Sequence, residues 1–183
     1  MKKVLFAVLM SCMMLISHKG ECRPLDNLYD TLSKKDQVRV FVHDAKDISH
    51  AQKVNLKAAR QGIEDALARR KSINFKIVPN KEDADIIVDC YIKEFVWMEE
   101  DPIDDVHGIA PLVMDAVMSA NYARVQAEFS VLDGSSGKVL WKRTVKSTLT
   151  EKDMNEEKSL PMARERVIKV FMRKCFAKPH DKN

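Results

Sequence analysis

Two hydrophobic periods take turns along this 183-residue chain. Val38, Val40 and Val42 alternate with Gln37, Arg39 and Phe41, a period of two that predicts a strand. Leu56, Ala59, Ile63, Ala66 and Leu67 then recur at helical spacing and predict a helix with one apolar face. Ser49-His50-Ala51-Gln52 ahead of it fits a capping box, and Arg69-Arg70-Lys71 set positive charge at its carbonyl end. Ile73, Phe75 and Ile77 return to period two, and Pro79-Asn80 stops that strand. A long strand follows from Asp85 to Trp97, with Ile86, Val88, Cys90 and Ile92 facing inward. Its phase slips near Lys93-Glu94, where a bulge would re-aim Phe95 and Trp97.

The clearest hairpin comes next. Ala123, Val125, Ala127, Phe129 and Val131 form one inward set, and Val139, Trp141, Val145 and Leu149 form another. Asp133-Gly134-Ser135-Ser136-Gly137 between them supplies residues that tolerate positive φ. A closing helix runs from Ser159 or Leu160 to Phe176, with Pro161 in its first turn and Ala163, Val167, Val170, Phe171 and Cys175 as its stripe. The expected order is β-α-β-β-β-β-α. It gives an α/β (α+β) two-layer sandwich: a largely antiparallel sheet of about five strands with two helices on one face. The domain spans 37–177, followed by a polar tail at 178–183, and residues 21–36 read as a linker.

One stretch, 99–120, does not fit a plain sandwich. The acidic run Glu99-Glu100-Asp101-Pro102-Ile103-Asp104-Asp105 precedes an apolar, methionine-bearing segment. Met adapts to irregular partners, so Ile103, Leu112, Met114, Val117 and Met118 form a candidate interaction surface. The plainer reading is that Leu112, Val113, Val117 and Met118 cap the open end of the core. The outward sheet face, with Arg124, Gln126, Lys142 and Lys146, is a second candidate surface.

The amino end changes the setting. Met1-Lys2-Lys3 leads into Val4–Ile16, apolar but for Ser11, the pattern of a secretory signal over residues 1–20 and too short to span a bilayer. Leu9-Met10-Ser11-Cys12 partly matches a bacterial lipoprotein signal, which makes Cys12 a lipidation candidate, and Gly20-Glu21-Cys22 offers Cys22 as another. Ordinary cleavage near Ser17–Gly20 is the alternative. The chain carries 31 basic and 27 acidic residues, and removing Lys2 and Lys3 leaves the signs nearly balanced and well mixed. Neither a nucleic-acid footprint nor a polybasic membrane patch is expected. Export permits a disulfide, either Cys90–Cys175 or Cys22–Cys175, although Cys90 and Cys175 also read as small buried apolar residues.

Candidate chemistry is sparse. The run at 99–105 lacks the ligand spacing and the glycine of a calcium loop. No metal is expected, because His43, His50 and His107 do not fall at ligand spacing. His43-Asp44 at a strand end could orient an imidazole, but a surface or capping role is the plainer reading. Cys90 lies mid-strand on the apolar face, a poor place for a nucleophile. With five glycines in the whole chain there is no phosphate-cradling loop or dinucleotide fingerprint, and no cofactor is expected.

The stretch from Val38 through "EDADIIVDCYIKEF" and the hairpin "ARVQAEFSVLDGSSGKVLWKRTVKS" resemble the periplasmic domains of envelope lipoproteins. The groups in question are the penicillin-binding-protein activator LpoB, the curli secretion lipoprotein CsgG and the amino-terminal domain of TolB. The resemblance covers residues 37–176 and rests on structural phrases. It implies an outer-membrane-tethered periplasmic domain that binds an envelope partner or self-associates into rings. The expected function is therefore that of a non-enzymatic envelope binding or assembly factor. A soluble periplasmic carrier of a small apolar ligand, held by Phe95, Trp97 and residues 109–118, is the alternative, and a small hydrolase ranks last.

Overall fold

The computed structural model describes residues 27–49, 55–98, 122–150 and 155–178. Along them the alternating segments pair into one sheet of six strands: β1 (Val38–Val42), β2 (Lys46–Asp47), β3 (Phe75–Ile77), β4 (Ile86–Met98), β5 (Tyr122–Asp133) and β6 (Val139–Thr150). The helices are α1 (Tyr29–Leu32), α2 (Leu56–Ala68) and α3 (Glu156–Phe176). Strand order is β3-β1-β4-β5-β6, with the short β2 continuing beside β4 past the end of β1. The α+β sandwich is as expected, with one more strand. Its sheet, however, is mixed: β1 pairs in parallel with both β3 and β4, and β2 with β4, while β4–β5–β6 form long antiparallel ladders. The cause is the α2 crossover, which returns the chain to the same end of the sheet before β3 begins.

α2 and α3 cover one sheet face, α2 over β1 and β3 and α3 over β4, β5 and β6. Every inward residue expected on β5 is buried, as are Ile86, Val88, Cys90 and Ile92 on β4. The β4–β5 register shifts between Ile92 and Glu94, where the phase slip falls, and Phe95 beyond it returns to the core. The centre of the core is aromatic. Phe171 of α3 stacks on Phe129 of β5 at 4.3 Å between centroids, leans on Trp141 of β6 at 5.6 Å and meets Phe176 edge-on at 5.5 Å. Where α2 crosses α3, a Cβ on Gly62 would stand 2.9 Å from Ile168 Cδ1, so glycine permits the approach.

Three local expectations are corrected. Residues 27–36 belong to the domain rather than to a linker: Leu28 and Leu32 are buried, Leu28 N–H donates to the Cys175 carbonyl at 2.8 Å, and Asn27 Nδ2 donates to the Ala177 carbonyl at 2.8 Å. The cap of α2 is Asn55, whose side chain accepts from Ala58 N–H at 2.9 Å. Ser49 instead donates its N–H and hydroxyl to Asp47 Oδ1, and residues 50–54 lie outside the described part. α3 starts earlier than expected, capped by Asn155 on Lys158 N–H at 3.0 Å, which moves Pro161 into the second turn. Pro161 is exposed, so the carbonyl left without a donor faces water.

The eight residues between β3 and β4 pass over the other sheet face, where Val78, Ala84 and Ile87 form a second small cluster with Phe41 and Leu132. The β5–β6 turn is tied to this crossing. Gly134 N–H donates to the Asp85 carbonyl at 2.9 Å, and a Cβ there would fall 1.9 Å from the Ala84 carbonyl oxygen. Gly137 supplies the positive φ of +68°. Asp133 Oδ1 accepts from the hydroxyls and N–H groups of Ser135 and Ser136, and these bonds, the Ser135 hydroxyl foremost, hold its pKa down at about 2.

Two outcomes follow. Phe171→Ala should lower unfolding free energy by about 3–5 kcal/mol in urea denaturation, because a fully buried ring leaves a cavity between α3 and the hairpin strands β5 and β6. Asp133 binds its proton less readily folded than unfolded, so its contribution is complete above pH ~5 and is lost as pH falls towards 2. The melting temperature of Asp133→Asn should therefore depend less on pH over that interval than that of the wild type.

Candidate functional site

The sheet face away from the helices carries ion pairs between strands. Glu128 on β5 bridges Lys93 of β4 at 2.8 Å and Lys142 of β6 at 2.7 Å, and the lysines, Lys142 first, hold its carboxyl below the usual range. Arg124 Nε donates to Glu94 Oε1 at 2.6 Å, and Lys46 lies over the Tyr91 ring at 5.4 Å. Of the four outward residues named from sequence, Arg124 and Lys142 are thus engaged within the sheet. Such a surface holds register between strands more than it invites a partner.

His43 finds a carboxylate, but not Asp44. Its Nδ1 is hydrogen-bonded to Asp89 Oδ1 across the β1–β4 pairing, while Asp44 pairs with Arg60 at 2.8 Å. Cys90, the residue after Asp89, points through the sheet into the core, where burial pushes its thiol up to about 12. Cys175 is fully buried on α3, and burial likewise raises its thiol. The two stand as free thiols in this structure. Among the described residues no cluster of three His, Cys, Asp or Glu side chains could hold a metal, and no helix is long and apolar enough to cross a membrane.

On the helical side, a groove of about 690 Å³ runs between α2 and α3. Ala66, Ile168 and Met172 line it, and Met162, 43% exposed, stands at its rim. Five cations, Arg69, Arg70, Arg164, Lys169 and Arg173, face two carboxylates, Asp65 and Glu165. Glu165 pairs with Lys169 at 2.9 Å, and Arg70 Nη2 donates to the Phe176 carbonyl at 2.9 Å. Arg164 is half-buried and has no hydrogen-bond or ion-pair partner among the described residues; desolvation lowers its pKa, against the opposing pull of Glu165. It also lines a smaller groove of about 400 Å³ with Phe95, Leu160 and Pro161. Phe95 itself is buried and Trp97 packs on the core, so the two ring systems proposed to hold an apolar ligand are largely spent on the fold.

Sequence reasoning did not find this groove. Its trace is the spacing Ala58, Gly62, Ala66, small residues one turn apart on α2 that let α3 approach. The candidates Cys12, Cys22, Ile103, Leu112, Met114, Val117 and Met118, and with them His50 and His107, lie outside the described residues.

No protein-family pattern matches the chain, and no curated protein does. Solved structures do share its fold. The PelC dodecamer from Paraburkholderia phytofirmans is similar at 15% identity and a TM-score of 0.50, over 77% of this chain and 90% of that one. A neuraminyllactose-binding hemagglutinin homolog from Helicobacter pylori is similar at 11% identity and a TM-score of 0.50, over 90% and 91% of the two chains. Lipoprotein GNA1162 from Neisseria meningitidis aligns at 13% identity and a TM-score of 0.42, over 74% and 99%. At these identities the likeness is one of fold alone.

The state of the thiols gives a direct check. Neutral, buried Cys90 and Cys175 should resist alkylation at pH 8 in the folded protein and react fully once it is unfolded, without added reductant. Intact mass before and after unfolding reads the count, and a requirement for reductant would reveal a bridge.

Proposed function

We propose that this chain is a non-enzymatic cell-envelope protein, exported by its amino-terminal signal, lipid-anchored, and acting by assembly with copies of itself. The observation that carries the reading is the fold shared with PelC, a protein solved as a dodecamer, over 77% of this chain. The hydrophobic leader Val4–Ile16 and the cysteines at 12 and 22 support export and anchoring. A hydrolase receives no support from the thiols, since a nucleophilic cysteine must be accessible and readily ionised, and Cys90 and Cys175 are neither. The resemblance to LpoB, CsgG and TolB domains points the same way, towards function by contact.

The test is fractionation of cells making the full chain, followed by intact and native mass measurement. A membrane-bound mature form beginning at Cys12 or Cys22 with added acyl mass, and a discrete oligomer once extracted, is expected. An unmodified monomer beginning near residues 18–21 in the soluble envelope fraction would overturn the reading in favour of a free periplasmic carrier.

A further inference from the structure

α2 and α3 run side by side in the same sense. Both start at one end, where Asn55 and Glu156 line the same small groove, and both stop at the other, where Arg70 binds the Phe176 carbonyl. The finishing end gathers cations. Arg69, Arg70 and Lys71 follow α2, and Arg173, Lys174 and Lys178 stand at the close of α3; all but the half-buried Arg70 are exposed. Carboxylates offset little of this charge. Asp65 stands 4.0 Å from Arg69, while Asp30 and Asp36, on and after α1, are balanced by Lys34 and Lys35. The plain role of such cations is to complement helix carbonyl ends. Two helix ends together present about one negative charge, which six cations exceed severalfold. Along the sequence the signs are mixed and no polybasic patch is expected; the patch forms because two helices distant in sequence stop at the same place. The amino end arrives there too. Asn27 Nδ2 donates to the carbonyls of Lys174 and Ala177, and Leu28 N–H to that of Cys175.

Resting on the anchoring reading above, we propose that this basic end faces an anionic lipid surface, with Arg69, Lys71, Arg173, Lys174 and Lys178 lying against phospholipid phosphates. Exposed guanidinium and ammonium groups suit that partner, because they donate charge-assisted hydrogen bonds to phosphate oxygens and need no cavity to do so. A cluster of this size is the kind that an anionic leaflet attracts. Chain length agrees. Asn27 follows Cys22 by five residues, an extended reach of at most about 18 Å. α3 has 21 residues and rises about 30 Å. A chain acylated at Cys22 therefore keeps the basic end near the bilayer, and the molecule cannot stand on its other end. Acylation at Cys12 lengthens the reach to about 54 Å, and charge then makes the choice. Each cation at an anionic surface is worth roughly fivefold in affinity. The starting end, with Glu156 and Glu157 in the first turn of α3, is repelled.

Amide exchange in the full mature chain, bound to vesicles of phosphatidylcholine with or without phosphatidylglycerol, tests the proposal. With phosphatidylglycerol, exchange at residues 69–71 and 173–178 should slow severalfold relative to phosphatidylcholine alone, and added salt should abolish the difference. Arg69 is 81% exposed and Arg173 is exposed, so Arg69→Glu with Arg173→Glu leaves the core intact and should remove the protection. Circular dichroism and the melting temperature check its fold. Lys174→Gln with Lys178→Gln, a milder pair at exposed positions, should reduce the protection and keeps the test open if the reversal unfolds. Equal exchange on both vesicles, protection that survives the reversal, or protection at residues 55–58 and 156–160 instead would overturn the proposal while the acyl mass leaves anchoring standing. A mature chain without acyl mass would remove the anchoring reading itself. Co-sedimentation with the same vesicles then judges the basic end: binding to phosphatidylglycerol that the reversal weakens tenfold or more supports it, and no binding overturns it.

Discussion

Phe171 is the contact on which the layers of this protein depend. Its ring lies flat on Phe129 and against Trp141, so one side chain of α3 joins the hairpin strands β5 and β6 to the helical layer. Phe176, one turn and a half further on, continues the chain of rings to Phe75 on β3, at 5.2 Å. The aromatic line thus runs across the sheet from the antiparallel ladders to the parallel edge. Ring pairs of this kind add roughly 0.5–1.5 kcal/mol each beyond the area they bury, so the line ties parts of the sheet that share no hydrogen bonds. α1 is fastened to the same end of α3 through Leu28 and Asn27, which extends the domain beyond its first strand.

β4 is the second constraint. Among the described residues it is the one strand paired both in parallel, with β1 and β2, and antiparallel, with β5. Its early residues face apolar neighbours on both sides, Ile86 and Val88 under the helices and Ile87 in the opposite cluster. Past the register shift at Ile92–Glu94 the strand turns Phe95 back towards α3 and delivers the chain to the end where both helices start. The bulge therefore decides which face of the sheet Phe95 meets.

The two faces have spent their charges differently. On the open sheet face Glu128, Glu94 and Asp89 each find a partner on a neighbouring segment, so the carboxylates there are engaged. Between α2 and α3 cations outnumber carboxylates, apolar side chains line the groove between them, and Arg164 stands without a match among the described residues. A surface with unspent charge beside apolar area is the one where contact with another chain gains most.

The strands, the two long helices, the bulge and the turn at Asp133–Gly137 were legible because each depends on periodicity or backbone freedom within a few residues. Val125, Ala127 and Phe129 declare a buried face by alternation alone, and the slip at Lys93-Glu94 declares the bulge. The parallel pairing of β1 with β3 and β4 was not legible, because pairing is chosen by the crossover of α2 and not by any strand's own pattern. Residues 27–36 looked like a tether because Leu28 and Leu32 find their burial only against α3, nearly the whole length of the chain away. Arg164 reads in sequence as one more surface cation. Only the packing of two distant helices desolvates it and collects Arg69 and Arg173 beside it, since charge density is a property of the assembled surface.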